Sequence, residues 1–306
     1  MTSMIEVARS SVQTWECDQM GHMNVQFYVA KADDGLSALA ATLGLSPRAR
    51  GSDRATLVAR EQHIRFHREL RPGAPYVVEA GVLLAKSEGL IVYEEMKNIA
   101  TGAVAATFVT RTEWADTALR GGGLPLPITA VAKAMPFMVD LPAHGQPRGL
   151  DLMPARPAPL LSEAEDLGLI TTLRCTVLRE HCDAHGYMVP RHYMARVSDG
   201  IPNLIAQTRG EDRSTSSTGG AALEYRFVYR MPAREGDLLV LKSGLRSVSS
   251  KTYIWCHWLF DAESGECFAT AEAVAIAMDL ATRKAIDIPP DMRTQLEGLI
   301  IPGLSA

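Results

Sequence analysis

The sequence predicts an α+β protein made of two similar halves, each an antiparallel sheet wrapped around one long helix. Three observations carry this reading. Residues 9–41 and 174–206, set at a constant offset of 165 (183 − 18), are identical at 12 of 33 positions, where chance would give about two. Beyond each copy, the turn residues of a strand meander recur at an offset of 163 (236 − 73). The chain has 306 residues and 47% hydrophobic content, enough to build two moderate cores.

Residues 4–15 place Ile5, Val7 and Val12 among polar neighbours, a strand pattern that runs into the turn Asp18–Asn24. From Asn24 the period changes. Tyr28, Ala32, Leu36, Leu39 and Leu43 fall three and four apart, a helical stripe that stops near Gly44, with Asn24 as its N-cap. A polar segment, 46–54, leads to alternating stretches at 55–70, 76–86, 90–99 and 103–115. Turn signals at Arg71-Pro-Gly73, Lys86–Gly89 and Asn98–Gly102 separate them, so they read as an antiparallel meander.

In the second half Arg71, Gly73, Gly81, Ser87, Ile91, Gly102, Ala106 and Thr107 recur as Arg234, Gly236, Gly244, Ser250, Ile254, Gly265, Ala269 and Thr270. Asp116–Arg120 recurs as Asp279–Arg283, and a short helix is expected after the prolines at 125–127 and at 289–290. Leu39 and Leu204 should be the buried centres of the two long helices. Pro202 falls inside the second, which predicts a kink or an early break there. The boundaries follow: a first domain at 1–142, a Pro/Gly-rich linker at 143–169 and a second domain at 170–306.

A net charge of −4 gives no general basic field, which argues against nucleic-acid binding. No stretch approaches the roughly 20 apolar residues of a membrane span, and the first residues lack a signal-peptide core, so a cytoplasmic protein without membrane association is expected. Five scattered cysteines without a C-x-x-C favour neither disulfides nor a zinc ribbon. There is no Gly-x-Ser-x-Gly elbow, no G-x-G-x-x-G after a strand and no Walker A sequence.

The repeated stretch carries the chemistry. Its first copy contains Asp18, Gly21-His22-Met23-Asn24 and Tyr28. These residues resemble the signature of hotdog-fold acyl-CoA thioesterases of the 4-hydroxybenzoyl-CoA thioesterase type, and two tandem copies resemble the double-hotdog form. The resemblance implies hydrolysis of an acyl-CoA to free acid and coenzyme A, with no cofactor beyond the coenzyme A of the substrate. Asp18 and Asp183 are the candidate nucleophiles or general bases, and N–H groups at the helix start are the candidate oxyanion donors. The alternative for each Asp is a carboxylate that merely caps a turn.

His22 could orient Asp18 or the thioester, or could serve only the turn; Asn24 reads chiefly as the helix cap. Gly21 and Tyr28 are candidate substrate contacts. The second copy replaces His22 by Tyr187, Asn24 by Val189 and Val25 by Pro190, so the first site is expected to do most of the chemistry. His181-Cys182-Asp183-Ala-His185 has no recognised zinc spacing, and no metal is expected. In strand geometry His63, Arg65 and His67 share one face, with Arg226 and Arg230 as counterparts and Arg71 and Arg234 at the repeated turns. Arg65, Arg71, Arg226 and Arg230 are candidates for coenzyme A phosphates, the alternative being a solvated outer face. An acyl-carrier-protein thioesterase and a non-catalytic acyl-CoA-binding hotdog protein are the rival readings. Assembly into a homodimer of double-hotdog chains is left open.

Overall fold

The computed structural model describes residues 4–46, 55–117, 123–209 and 218–306. Two compact units emerge: Met1–Gln146 with Pro190–Met194, and Pro147–Val189 with Ala195–Ala306. The first contains β1 (Ile5–Ser11), α1 (Val25–Thr42), β2 (Ala55–Phe66), β3 (Pro75–Lys86), β4 (Gly89–Asn98), β5 (Val104–Asp116) and the short α2 (Ile128–Ala134). Its strands are all antiparallel in the order β1-β3-β4-β5-β2. α1 lies on this sheet against β1, β3 and β4. Tyr28, Val29, Ala32, Gly35 and Leu39 are its buried stripe, so the helical period reads the packed face.

The second unit contains α3 (Leu161–Asp166), β6 (Ile170–Thr176), most of α4 (Pro190–Arg209), β7 (Thr218–Tyr229), β8 (Leu238–Val248), β9 (Thr252–Asp261), β10 (Cys267–Asp279), the two-residue β11 (Lys284–Ala285) and α5 (Pro290–Glu297). Its order, β6-β8-β9-β10-β7, is that of the first unit. The hotdog architecture expected from the resemblance is therefore present twice. No helix among the described residues is long and apolar enough to cross a membrane.

The repeat extends to strand register. Tyr76 pairs with Asn98 and, 163 residues on, Leu239 with Asp261; Ile91 pairs with Arg111 and Ile254 with Val274. The register shift between Val82 and Leu84 has its equivalent between Leu245 and Ser247, and the one between Glu6 and Ala8 its equivalent, at offset 165, between Thr171 and Leu173. Bulges recurring in place keep the twist and the facing of every later side chain the same in both sheets. Gly73 and Gly236 hold the repeated turn at φ of 82° and 95°, a left-handed conformation in which a side chain would be strained.

Short helices follow Pro127 and Pro289 as expected. α4 runs unbroken through Pro202, against the expected early break. Sheet contacts on both sides of the proline hold the helix: before it, Gly200 lies against Leu241 and Thr172, and after it Leu204 is buried and Asn203 Nδ2 donates to the Thr172 carbonyl at 2.9 Å. Residues 143–169 are partly structured, with the helix α3 and buried Leu150, Ala164 and Leu169. Of the joining segment 46–54 only residue 46 lies within the described residues, and of the Asp116–Arg120 tail only the first two residues do.

Leu39 and Leu204 are 0% and 2% exposed, one on each central helix. Truncating either to Ala should cost about 2–5 kcal/mol, the sum of lost burial and the cavity left behind. Urea denaturation of each variant checks this, and a loss within experimental error at either position would contradict the packing described.

Candidate active site

The Asp18 turn is fastened on three sides before any functional group is considered. Cys17 bridges to Met23, the Asp18 N–H donates to the His22 carbonyl at 3.1 Å, and the Gly21 N–H donates to the Asp18 carbonyl at 3.0 Å. Gly21 adopts φ 75° with open space where a Cβ would stand, so the backbone conformation, not packing, asks for glycine. The Met23 N–H reaches the Leu70 carbonyl at 2.8 Å and the Asn24 N–H the Glu16 carbonyl at 2.9 Å. Glu16 is buried and ion-paired to Lys31 of α1 at 2.7 Å, which ties the turn to its helix.

Asp18 Oδ1 accepts the Met20 N–H at 2.9 Å, the turn-capping role set out as the alternative. That bond aims the carboxylate as well as closing the turn. His22 lies beside it, Nδ1 3.8 Å from Asp18 Oδ1, while Nε2 stands 3.6 Å from Glu69 Oε1. The three side chains form a carboxylate–imidazole–carboxylate line, each partly exposed. Asn24 is the N-cap: its Oδ1 accepts the Gln26 N–H at 3.1 Å and its carbonyl the Phe27 N–H at 2.9 Å. Among the described residues no acceptor occupies the Val25 N–H, the remaining donor of the first turn.

Glu69 was not singled out from the sequence. A signal existed: 163 residues on, its counterpart is Pro232, just as Tyr187 answers His22. What brings Glu69 to the turn is Tyr28, whose hydroxyl accepts the Leu70 N–H at 2.9 Å. The Tyr28 ring packs edge-on to Phe66 at 5.2 Å, and burial raises its phenol pKa, so it stays a neutral clamp.

The second copy keeps the backbone and changes the rest. Asp183 Oδ1 accepts two turn N–H groups, from His185 at 2.8 Å and Tyr187 at 3.2 Å. The Arg234 guanidinium covers the Tyr187 ring at 5.0 Å and donates to its hydroxyl at 3.2 Å, filling the place His22 holds in the first copy. α4 opens on Pro190, which has no N–H to offer. His181 is committed within its own turn, Nδ1 accepting the Leu178 N–H at 3.0 Å. Among the described residues no three His, Cys, Asp or Glu side chains are placed to hold a metal.

The arginines fall elsewhere in their units. Arg65 donates to the carbonyls of His144 and Gln146, both at 2.8 Å, and so straps the segment that follows the first sheet. His67 shares that face, donating to or accepting from Thr107 Oγ1 at 3.2 Å, and burial pulls its pKa down to about 4. Arg226 is buried and donates to the Met153 carbonyl at 2.7 Å and the Asp151 carbonyl at 3.4 Å. Arg230 reaches Thr270 Oγ1 at 3.4 Å. Arg71, at its turn, is exposed. The structure thus gathers Asp18, Gly21, His22, Asn24 and Tyr28 at one place with Glu69, and gives Arg65 and Arg226 carbonyl partners in strapping segments.

Comparison with known proteins agrees with the fold. No curated protein matches the chain. A putative oleoyl thioesterase from Lactobacillus plantarum superposes with a TM-score of 0.68 at 12% identity over 90% of this chain and 95% of that one. The 12:0-ACP thioesterase from Umbellularia californica gives 0.66 at 13% identity, over 90% and 94%. An acyl-ACP thioesterase from Bacteroides thetaiotaomicron gives 0.63 at 12% identity, over 88% and 96%. The family model described as thioesterase-like superfamily matches residues 12–159 and 177–296. With both halves matched, the chain belongs to the thioesterase-like superfamily, as a thioester hydrolase of tandem hotdog form.

Proposed function

We propose that the protein hydrolyses an acyl-CoA to the free acid and coenzyme A, in the manner of the 4-hydroxybenzoyl-CoA thioesterase type, and that the first-half turn carries the reaction. The observation that supports this most is the Asp18–His22–Glu69 line beside an unoccupied Val25 N–H, a set the second turn lacks. In this reading Asp18 takes a proton from water as the water oxygen attacks the thioester carbon, or attacks that carbon itself to give an anhydride that water opens. The Val25 N–H, at the positive end of α1, stabilises the oxyanion. Collapse breaks the C–S bond. In the general-base route the proton Asp18 took from water passes to the departing thiolate; in the anhydride route the thiolate leaves as the anion and takes its proton from solvent, with Asp18 freed when water opens the anhydride. His22, set between two carboxylates, orients Asp18.

A carrier-protein substrate is the second reading, favoured by the full-length likeness to two acyl-ACP thioesterases. Thiol release from matched acyl-CoA and acyl-carrier-protein substrates, followed with a chromogenic thiol reagent, separates the two. Binding of acyl-CoA without release from either would instead support a non-catalytic acyl-CoA-binding protein.

In the same assay Asp18→Asn should lower kcat about a hundredfold or more, as for loss of a general base or nucleophile, while Asp183→Asn keeps the larger share. A far greater loss in Asp183→Asn would move the chemistry to the second turn. Tyr28→Phe should cost about 1–3 kcal/mol in urea denaturation, because it leaves the buried Leu70 N–H without its acceptor. An unchanged midpoint would show that the clamp contributes nothing.

A further inference from the structure

Beneath α1, the first unit buries a carboxylate that no neighbour answers. Glu94 of β4 is 0% exposed, and neither of its oxygens has a hydrogen-bond partner among the described residues. Its cross-strand neighbours are Ala80 and Phe108, both fully buried. On the helix side it lies against Gly35, where a Cβ would overlap Glu94 Oε1 and would also crowd Val7 and Val78. Glycine at that helix position is what leaves the carboxyl its room.

Asp33, two residues before Gly35 on α1, is near enough for its charge to disfavour one on Glu94, and it supplies a second such oxygen. The residue is partly exposed, but its Oδ2 is buried and without a hydrogen-bond partner. The matching place in the second unit shows a partly satisfied version, in which His257 Nδ1 is bonded while its Nε2 is buried without a hydrogen-bond partner among the described residues. His257 stands for Glu94 (94 + 163), Ser243 for Ala80 (80 + 163) and Thr172 for Val7 (7 + 165). There Ser243 Oγ meets His257 Nδ1 at 2.8 Å and Thr172 Oγ1 meets Ser243 Oγ at 3.1 Å. The first unit has apolar side chains in place of both hydroxyls and, at the position of Ser198, the second carboxyl.

We propose that Asp33 and Glu94 form a buried proton-binding pair, which holds at least one proton at neutral pH and weakens the seating of α1 on its sheet when that proton leaves. Ionising both groups would set two like charges near each other, the one on Glu94 among apolar side chains, which the fold avoids by keeping a proton. The charged groups facing the pair are few. On α1, Asp34 further disfavours a charge on Asp33; Arg191 of the same unit favours it through its backbone N–H and its charge. Among the described residues β1, β3 and β5 contribute Val7, Val78, Ala80 and Phe108 and no charge. Burial is the leading cause in both groups, holding Glu94 well above the carboxylate range and Asp33 up to about 8.

The sign follows from linkage. Both folded values lie above the unfolded carboxyl values of about 4, so the pair's contribution is full below about pH 4 and is lost as pH rises toward about 8. Urea midpoints of the wild type and of the Asp33→Asn/Glu94→Gln double variant, measured between about pH 5 and 9, test this. The wild type should lose stability across that range, and the neutral variant should show a flatter profile and at least equal stability at the alkaline end. Equal slopes in the two proteins, or a variant weaker than wild type at the alkaline end, would overturn the proposal. Infrared spectra of the native wild type near pH 7 provide a test that needs no variant. A protonated-carboxyl band that disappears on unfolding is expected, and its absence overturns the proposal.

Discussion

The rest of the structure depends on the close seating of one helix on one sheet, achieved once in each unit. The sheet meets α1 at Gly35 and α4 at Gly200, positions where a Cβ would collide with Glu94 and Val7 in one unit and with Leu241 and Thr172 in the other. Two glycines inside helices oppose helix propensity, and close packing is the compensation. Once the helix is fixed at this depth, the position of its first turn is fixed too. Asn24, the Val25 N–H and the Asp18 turn then have little freedom left, because Met23, Asn24 and Tyr28 are each bonded to neighbouring backbone.

The same frame appears twice, but its side chains divide the labour. Strand register, bulges and the glycines at 21 and 186, 73 and 236, and 102 and 265 recur in place, so the backbone offers a carboxylate at both turns. In the first unit that carboxylate faces an imidazole backed by Glu69. In the second it closes its turn with two N–H bonds beside a tyrosine covered by arginine. The Asp is therefore compatible with a purely structural role, and the first turn is distinguished by what surrounds it. A repeat of this kind gives each half an internal control: what recurs is compatible with the fold alone, and what differs, as at the two turns and at Glu94, is particular to one half.

Much of the architecture was legible in the sequence, because hydrophobic period, turn glycines and a fixed offset are local signals. The helix stripe through Leu39 and the meander boundaries needed no long-range information. The candidate line was half legible. Asp18, His22 and Asn24 sit within seven residues, whereas Glu69 arrives from the far end of β2 through the bond between Tyr28 and Leu70, which no local pattern encodes. Arg65 and Arg226 are exposed-looking strand residues, yet each binds carbonyls of a later segment, information held only in the tertiary structure. Glu94 and Glu95 defeat alternation differently. They point to opposite faces, and both are buried, Glu95 satisfied by Tyr93, Lys97 and His144 and Glu94 by nothing. Pro202 failed as a breaker because tertiary packing holds the helix on both sides of it.

The central claim is that Asp18 and His22 act as one unit at the first turn. A double-mutant cycle on kcat/KM for thiol release, using Asp18→Asn, His22→Ala and the double variant, tests it most directly. Groups that work as a unit are strongly non-additive, so once Asp18 is changed the second substitution should have little further effect. Losses that multiply in the double variant would show that the two residues act independently and would contradict the account.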